Sequence, residues 1–142
     1  MGYSSSKTQL MVGLGMSAIS DSWYAFAQNN KTVEEYQKLV EEGIIPVVKG
    51  HMLSEEDLNI RQHILNLMCR LETSWDLQTT FPELPNALEA LKEMEADGLV
   101  ELLDNTIKIT EKGRAFTRNV AMTFDLRMMR NKPETRIFSM TI

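Results

Sequence analysis

The sequence is poor in metal-binding residues: its 142 residues include one cysteine, Cys69, and two histidines, His51 and His63. One cysteine cannot form an internal disulfide, so the sequence gives no support for a disulfide-stabilised secreted protein. One thiolate also cannot hold a zinc ion or an iron–sulfur cluster by itself, because both need several ligands. His63 and Cys69 lie six residues apart, on different sides of a predicted helix. We therefore predict no metal ligands, and we expect both histidines to be structural or solvated.

Positive charge and long apolar runs are also scarce. Lysine and arginine total 15 against 20 acidic residues, a formal net charge of -5, which disfavours binding to nucleic acid or to an anionic membrane surface. No apolar run approaches the roughly 20 residues of a membrane span, and the first residues lack the pattern of a secretory signal. We expect a cytoplasmic protein with neither nucleic acid nor membrane as a partner.

Capping residues and apolar periodicity predict four main helices and a hairpin. Thr32 and Glu35 have the spacing of a capping box, and Gly43 supplies a left-handed helix stop. Ser54 precedes three acidic residues and a long apolar stripe, which predicts a central helix packed on two sides. The other elements are a helix over 86–98, a hairpin over about 99–109 that turns at Asp104-Asn105, and a last helix from Thr110.

This order of helices, hairpin and further helix is typical of a winged helix, so the expected fold class is mainly α, with a winged-helix-like domain over about 50–130. DNA binding is not favoured, because the helix that would enter the major groove carries four acidic residues and one lysine. Two alternatives stay open. One is an independent winged-helix module that binds protein or nucleic acid, and the other is a haem-binding domain with His51, His63 or methionines as axial ligands.

The apolar run LMVGLGMSAIS (10–20) contains Gly13 and Gly15 and has the composition of a short buried strand. It is not predicted to be a phosphate-binding loop, because it lacks a third glycine and a following amphipathic helix. The later sequence offers no convincing partner strand for this run. The segment IIPVVKG (44–50) is predicted to be an extended connector, since Pro46 excludes a helix there.

Several short motifs resemble one enzyme family, in the same order along the whole chain. The most specific is RNVAMTFD (118–125), and the others are GYSSS, GLGMSAIS, YAFAQN, IRQHILNLMC, ADGLVEL, IKITEKGR and RIFSMTI. Together they resemble the C-terminal region of oxygen-independent coproporphyrinogen III oxidase, a radical S-adenosylmethionine enzyme of haem biosynthesis. The resemblance implies oxidative decarboxylation of two propionates of coproporphyrinogen III to vinyl groups, which gives protoporphyrinogen IX.

The resemblance also implies cofactors that this sequence is not equipped to hold. Members of the family have a barrel whose C-x3-C-x2-C cysteines hold a [4Fe-4S] cluster with S-adenosylmethionine, and that spacing is absent here. We expect no cofactor to be bound by this chain alone and no activity from it. We expect its partners in the intact enzyme to be the family's N-terminal barrel and coproporphyrinogen III.

Two groups of site residues follow from the resemblance, and no catalytic residue is among them. The first group matches a loop that approaches a second S-adenosylmethionine, with Ile19 in contact; its members are Gly13, Gly15, Ser17, Ala18 and Ile19. The second group could bind substrate carboxylates, because arginine pairs well with propionate; its members are Arg61, Arg114 and Arg118. Each arginine could instead form a local ion pair or cap a helix.

The expected domain organisation has three parts: a remnant of the barrel edge over 1–30, a helix and connector over 31–49, and a winged-helix-like domain with a tail over 50–142. The chain is interpreted as a C-terminal fragment of the enzyme. Apolar side chains of the first part would then lack the barrel that covers them. Because exposed apolar patches and unpaired strands favour association, we expect a homodimer through residues 8–25.

Overall fold

The computed structural model describes residues 8–76, 79–125 and 130. The GYSSS motif, nearly all of the predicted tail and the end of the last predicted helix lie outside these residues. The described residues form two compact units, the first ending at Leu58 and the second beginning at Asn59. None of the helices in these ranges is long and apolar enough to cross a membrane.

The first unit contains a four-stranded antiparallel sheet whose strands lie side by side in chain order. Asp21 pairs with Met11 on one side and with Phe26 on the other, and Phe26 pairs in turn with His51. Its elements are β1 (Leu10–Met11), β2 (Ile19–Ser22), β3 (Ala25–Asn29), α1 (Val33–Glu41) and β4 (Val47–Met52).

The prediction that the apolar run at 10–20 has no partner strand is wrong. Its residues form β1, a loop and the start of β2, and β3 and β4 complete the sheet. β2 (ISDS) is mostly polar, and β3 (AFAQN) has three consecutive apolar residues followed by two polar ones, so neither shows the apolar–polar alternation that marks a half-buried strand. The predicted connector 44–50 overlaps β4, which lies at a sheet edge and begins directly after Pro46, a position that proline tolerates.

The first unit has almost no interior. Asn29 is the one side chain buried from solvent among residues 8–58. Large apolar side chains stay exposed on the strands, on the loop after β1 and on α1; they include Leu10, Met11, Val12, Leu14, Met16, Ile19, Tyr24, Val40, Ile44, Ile45 and Met52. Hydrogen bonds therefore define this unit more than apolar burial does.

The second unit has a three-stranded sheet in the order β5-β7-β6. The predicted hairpin is confirmed, with Leu103 paired to Thr106 across a two-residue turn at Asp104-Asn105. Strand β5 was not predicted. The helix α2 (Glu55–Arg70) begins in the first unit and continues into the second from Asn59. The other elements are β5 (Glu72–Ser74), α3 (Leu84–Ala96), β6 (Val100–Leu103), β7 (Thr106–Ile109), a 3-10 helix (Lys112–Phe116) and α4 (Thr117–Met122).

The expectation of a mainly α fold is not confirmed, because the described residues form two antiparallel sheets as well as helices. The physical reason is that short strands with small or polar residues carry little periodic signal. The order of helix, strand, helix and hairpin in the second unit is compatible with a winged helix. That description remains a prediction.

The predicted caps are confirmed in part. Thr32 is the N-cap of α1, but the predicted capping box does not form, because the Thr32 hydroxyl donates to the Glu35 carboxylate at 2.8 Å and caps no backbone amide. The Asp57 amide donates to Ser54 Oγ at 3.2 Å, and the Ser54 amide donates to Asp57 Oδ2 at 2.9 Å, so the start of α2 is a reciprocal cap. Gly43 and Gly98 both have positive φ angles, 70° and 72°, just after α1 and α3. The predicted glycine stops are therefore confirmed.

An apolar core fills the second unit. The predicted face of α2 contributes to it, with Ile60 and Leu67 buried and Ile64, Met68 and Leu71 packed against them. The other buried members come from the segment before α3, from α3, the hairpin, α4 and the residues after it; they are Phe81, Leu84, Leu91, Val100, Ile107, Ile109, Val120, Ala121 and Phe124. This is the only unit in which the described residues bury an apolar cluster.

Gly113 lies where the 3-10 helix packs against the chain that leads into the hairpin. A Cβ atom at this position would lie 1.9 Å from the carbonyl oxygen of Leu99, which is impossible without a backbone shift. That carbonyl also accepts hydrogen bonds from the Thr110 amide at 3.0 Å and the Thr110 hydroxyl at 3.2 Å. Only glycine fits this close contact between two backbone segments.

We predict that Gly113→Ala lowers the free energy of unfolding by about 2–3 kcal/mol, because overpacking here moves backbone and not a flexible side chain. Urea unfolding followed by circular dichroism measures the loss. Gly50→Ala is the control, since its added Cβ would lie 3.7 Å from the Phe26 carbonyl oxygen, an ordinary contact, and should change stability by less than about 1 kcal/mol. Equal stability of Gly113→Ala and the wild type would contradict the packing described.

Candidate functional site

The loop between β1 and β2, residues 12–18, contains four of the five residues predicted to approach a ligand. Gly13, Gly15, Ser17 and Ala18 lie in the loop, and Ile19 is the first residue of β2. The structure therefore brings this group of predicted residues together in one place. We call residues 12–18 the glycine loop.

Three positions in the glycine loop require glycine or a rare backbone conformation. A Cβ at Gly13 would lie 2.7 Å from the carbonyl oxygen of Ile19, so the loop folds closely against its own exit strand. Gly15 has a φ of 99°, which side chains rarely permit, and Ser17 has a φ of 58°. The glycines thus allow close contact between the loop and its own backbone. This contact is an intramolecular explanation for glycine at positions that the sequence analysis had linked to a ligand.

Asn29 lies at the end of β3 and is hydrogen-bonded to the glycine loop. Its side-chain Nδ2 donates to the carbonyl oxygens of Gly13 at 3.1 Å and Gly15 at 2.9 Å. Its backbone amide donates to the Ala18 carbonyl at 2.9 Å. The side chain is only 6% exposed. Sequence reasoning missed this residue, although an asparagine inside a strand is disfavoured and therefore signals a specific role.

Neighbouring residues complete the hydrogen bonding of the glycine loop. The Gly15 amide donates to the Tyr36 hydroxyl of α1 at 3.1 Å, and the Gly13 amide donates to Ser20 Oγ at 3.1 Å. The remaining bonds are Ser17 amide to Asn30 carbonyl at 2.7 Å, Gln28 Nε2 to Ser17 carbonyl at 3.4 Å, and Ala18 amide to Gly15 carbonyl at 3.4 Å.

As a result, the N–H and the C=O of Gly13, Gly15, Ser17 and Ala18 all have partners inside the chain. A loop that cradles an anion needs free N–H groups that converge on it. The backbone of these four residues offers none, so the geometry agrees with the expectation that this is not a phosphate-binding loop.

What the glycine loop presents to its surroundings is apolar. Leu14 at the loop tip is 86% exposed, and Val12, Met16 and Ile19 are exposed beside it. A ligand or protein surface that meets this loop would therefore be held by apolar contact and shape, and the hydrogen bonds of the four residues above would serve to hold the loop itself.

The three arginines predicted to bind carboxylates lie in the second unit. Arg61 is half-buried on α2, whereas Arg114 and Arg118 are exposed on the 3-10 helix and on α4. Arg114 Nε lies 2.9 Å from the Glu111 carboxylate, which is the local ion pair that the sequence allowed as an alternative. A role for any of them in substrate binding remains a prediction.

His63 is part of a buried polar network in the second unit. Its Nε2 donates to the Thr79 carbonyl oxygen at 2.9 Å, so Nδ1 accepts from the Thr73 hydroxyl at 2.9 Å. The rings of Phe81 and Phe124 lie 5.8 and 5.7 Å from it. Because both ring nitrogens are engaged, His63 is not available as an axial haem ligand in this arrangement. Among the described residues no group of three or more candidate ligands could hold a metal ion.

Burial lowers the pKa of His63 below its ordinary value of 6.5, and the hydrogen bond to the Thr79 carbonyl offsets this only in part. The folded state therefore binds fewer protons than the unfolded state below pH 6.5, and stability falls as the pH falls. We predict a loss of up to about 1.4 kcal/mol between pH 7.5 and pH 5.5, measured by urea unfolding at each pH.

The two histidines provide a matched comparison for this prediction. His63→Gln should remove most of the pH dependence in that window, whereas His51→Gln should retain it, because the His51 side chain is 41% exposed and is not part of the buried network around His63. An undiminished pH dependence in His63→Gln would show that another group is responsible.

Comparison with known proteins identifies relatives that match nearly the whole chain. The chain is 32% identical to the oxygen-independent coproporphyrinogen III oxidase of Synechocystis over 99% of its length, and equally similar to that of Escherichia coli K12. It is 31% identical to the enzyme of Cereibacter sphaeroides over 96% of its length. No protein-family model matches the chain.

A solved structure agrees with these relatives. Coproporphyrinogen III oxidase from Escherichia coli, described as a radical SAM enzyme, superposes with a TM-score of 0.77 at 30% identity over 89% of this chain. The chain spans about a third of its relatives, 32% of the Synechocystis enzyme and 30% of the solved chain. The resemblance identified from the motifs is thereby confirmed: almost the entire chain is similar to a segment that makes up about one third of these oxygen-independent coproporphyrinogen III oxidases.

Proposed function

We propose that this chain is the C-terminal accessory part of an oxygen-independent coproporphyrinogen III oxidase of the cytoplasm, where it helps to cover the substrate site. One observation carries the proposal: the relatives match 99% of this chain, but the chain matches only 32% of them. The complete enzyme would decarboxylate two propionates of coproporphyrinogen III to vinyl groups. The missing two thirds would include the catalytic barrel.

The residues present fit one of the two family cofactors and not the other. A [4Fe-4S] cluster needs several thiolates, and Cys69 is the only cysteine. The chain alone therefore has no means of holding the cluster. S-adenosylmethionine, which in this family supplies the oxidising chemistry, has an aromatic adenine ring whose face would pack against exposed apolar side chains such as Leu14, Met16 and Ile19.

In this proposal the glycine loop forms one wall of a site for S-adenosylmethionine. Ile19 makes the contact, because it is exposed at the start of β2 next to the loop exit. Gly13, Gly15, Ser17 and Ala18 hold the loop close to the sheet, and their backbone groups are already paired. Arg61, Arg114 and Arg118 are proposed only as candidates for the propionates.

A chimera tests the proposed function. The aligned third of the Escherichia coli enzyme is replaced by this chain, and anaerobic conversion of coproporphyrinogen III is measured after cluster reconstitution. We expect conversion by the chimera and none by the same enzyme with that third deleted or by the 142-residue chain alone. A chimera that folds and binds its cluster but is as inactive as the deletion would contradict the proposal.

We also propose that the isolated chain forms a homodimer through residues 8–25. The exposed apolar side chains of β1 and the glycine loop support this, and each such side chain contributes about 1.5–3 kcal/mol when buried, before the costs of association. In a solution of the isolated chain, a second copy of the chain is always available to cover these side chains.

Leu14→Glu should weaken this dimer at least about tenfold, because it places a charge at the proposed apolar contact. Sedimentation equilibrium over a range of concentrations measures the dissociation constant. Ile45→Glu is the matched control, since Ile45 is 81% exposed but lies outside 8–25. A strictly monomeric wild type, or a dimer lost only in Ile45→Glu, would contradict this interface.

A further inference from the structure

We propose that Asn29 is a positioning residue: its buried side-chain amide fixes the glycine loop in the form that meets a ligand. The identity of that ligand as S-adenosylmethionine rests on the proposed function. The role of Asn29 in fixing the loop rests on the geometry of the first unit alone.

The bonds of Asn29 are concentrated on the two glycines. One nitrogen, Nδ2, donates to the carbonyl oxygens of both Gly13 and Gly15, while the backbone amide of the same residue binds the Ala18 carbonyl. Asn29 thereby contacts the start, the middle and the end of the glycine loop. The side chain is 6% exposed, in a unit without another buried side chain among residues 8–58.

An asparagine is well suited to this task. Two carbonyl dipoles that point towards one place repel each other unless a donor with two hydrogens lies between them, and a neutral amide is such a donor. Lysine or arginine would bury a charge. Glutamine is longer by one methylene group, so its amide would not lie at the same point between the two carbonyl oxygens. A carboxylate would turn its own lone pairs towards the two carbonyl oxygens.

The position of the loop side chains depends on this bond. With the carbonyls of Gly13 and Gly15 turned inwards to Asn29, the Leu14 side chain between them is left 86% exposed at the loop tip. The Gly15 amide is at the same time held by the Tyr36 hydroxyl. Without the Asn29 donor, the carbonyl groups of Gly13 and Gly15 are no longer fixed. The orientation of the apolar side chains on the loop is then no longer fixed either.

The test is Asn29→Asp in the full 142-residue chain, with amide hydrogen exchange measured for Gly13, Gly15, Ser17 and Ala18. Asn29 side-chain atoms bond none of these four amides, so their protection reports on the loop as a whole. At pH 8 we expect protection factors at least about tenfold lower than in the wild type, because a buried carbonyl pair loses its donor.

Lowering the pH separates positioning from a general structural effect. Burial and the facing carbonyls raise the pKa of the introduced carboxyl, so at pH 5.5 it becomes protonated and can donate a hydrogen bond to one carbonyl again. Protection in Asn29→Asp should recover towards the wild-type value at that pH. Asn29→Ala, which has no donor at any pH, should stay unprotected at both.

Asn30→Asp is the matched control. This residue carries the same change one position along the chain, but its Oδ1 already accepts from the Thr32 amide at 3.1 Å, so a carboxylate keeps that bond at an exposed helix start. Its loop protection should stay within about threefold of the wild type. Full loop protection in both Asn29 variants at pH 8, or equal losses in Asn29→Asp and Asn30→Asp, would overturn the inference.

The chimera separates this inference from the proposed function. If the chimera is active, Asn29→Asp should raise its KM for S-adenosylmethionine about tenfold at pH 8 with a smaller effect on kcat, and Asn30→Asp should not. An inactive chimera would count against the proposed function alone, since the exchange measurements on the 142-residue chain decide the role of Asn29 independently.

Discussion

The hydrogen bonds from the Asn29 side chain to two glycine carbonyls are the interaction on which the first unit depends. This unit buries no apolar side chain among residues 8–58, so its form cannot come from an apolar core. The sheet ladder determines the course of the strands, but the seven-residue connection between β1 and β2 needs its own support. One buried amide supplies it, and the Tyr36 hydroxyl reinforces it from α1.

The second unit is held together in a different way. A continuous apolar cluster joins helices and hairpin, and the polar groups inside it are paired, as His63 is with Thr73 and Thr79. Apolar burial of this kind is sufficient for cooperative stability. Under the proposed function, the exposed apolar side chains of the first unit would contact the remainder of the enzyme.

Sequence reasoning succeeded at several positions where a local rule decided the outcome, although the capping box predicted for Thr32 and Glu35 does not form. Ser54 begins α2, Gly43 and Gly98 follow the ends of their helices, and the hairpin turns at Asp104-Asn105, because capping and turn chemistry are local. The family was also identifiable from motifs in order. The strands of the first unit were missed because the sequences of β2 and β3 do not alternate between apolar and polar residues, which is the pattern that marks a strand with one buried face.

The candidate site could be predicted only in part. The glycines could be singled out from the sequence as unusual residues. Their hydrogen-bond partner Asn29 could not, because it follows Gly13 by 16 positions. Such a pairing depends on strand register, which no local pattern reveals. The arginines show the opposite problem, because an arginine that could bind a carboxylate is indistinguishable in sequence from one that pairs with its neighbour, as Arg114 does with Glu111.

The glycine loop divides its residues into a fixed frame and variable positions. Gly13, Gly15 and Asn29 build the frame through backbone atoms and one amide, while Val12, Leu14 and Met16 only present their side chains outward. Substitutions at these three positions can therefore change the surface of the loop without changing its path. Under the proposed function, single exchanges at these three positions would change which ligand the loop prefers, while the fold of the loop stays the same.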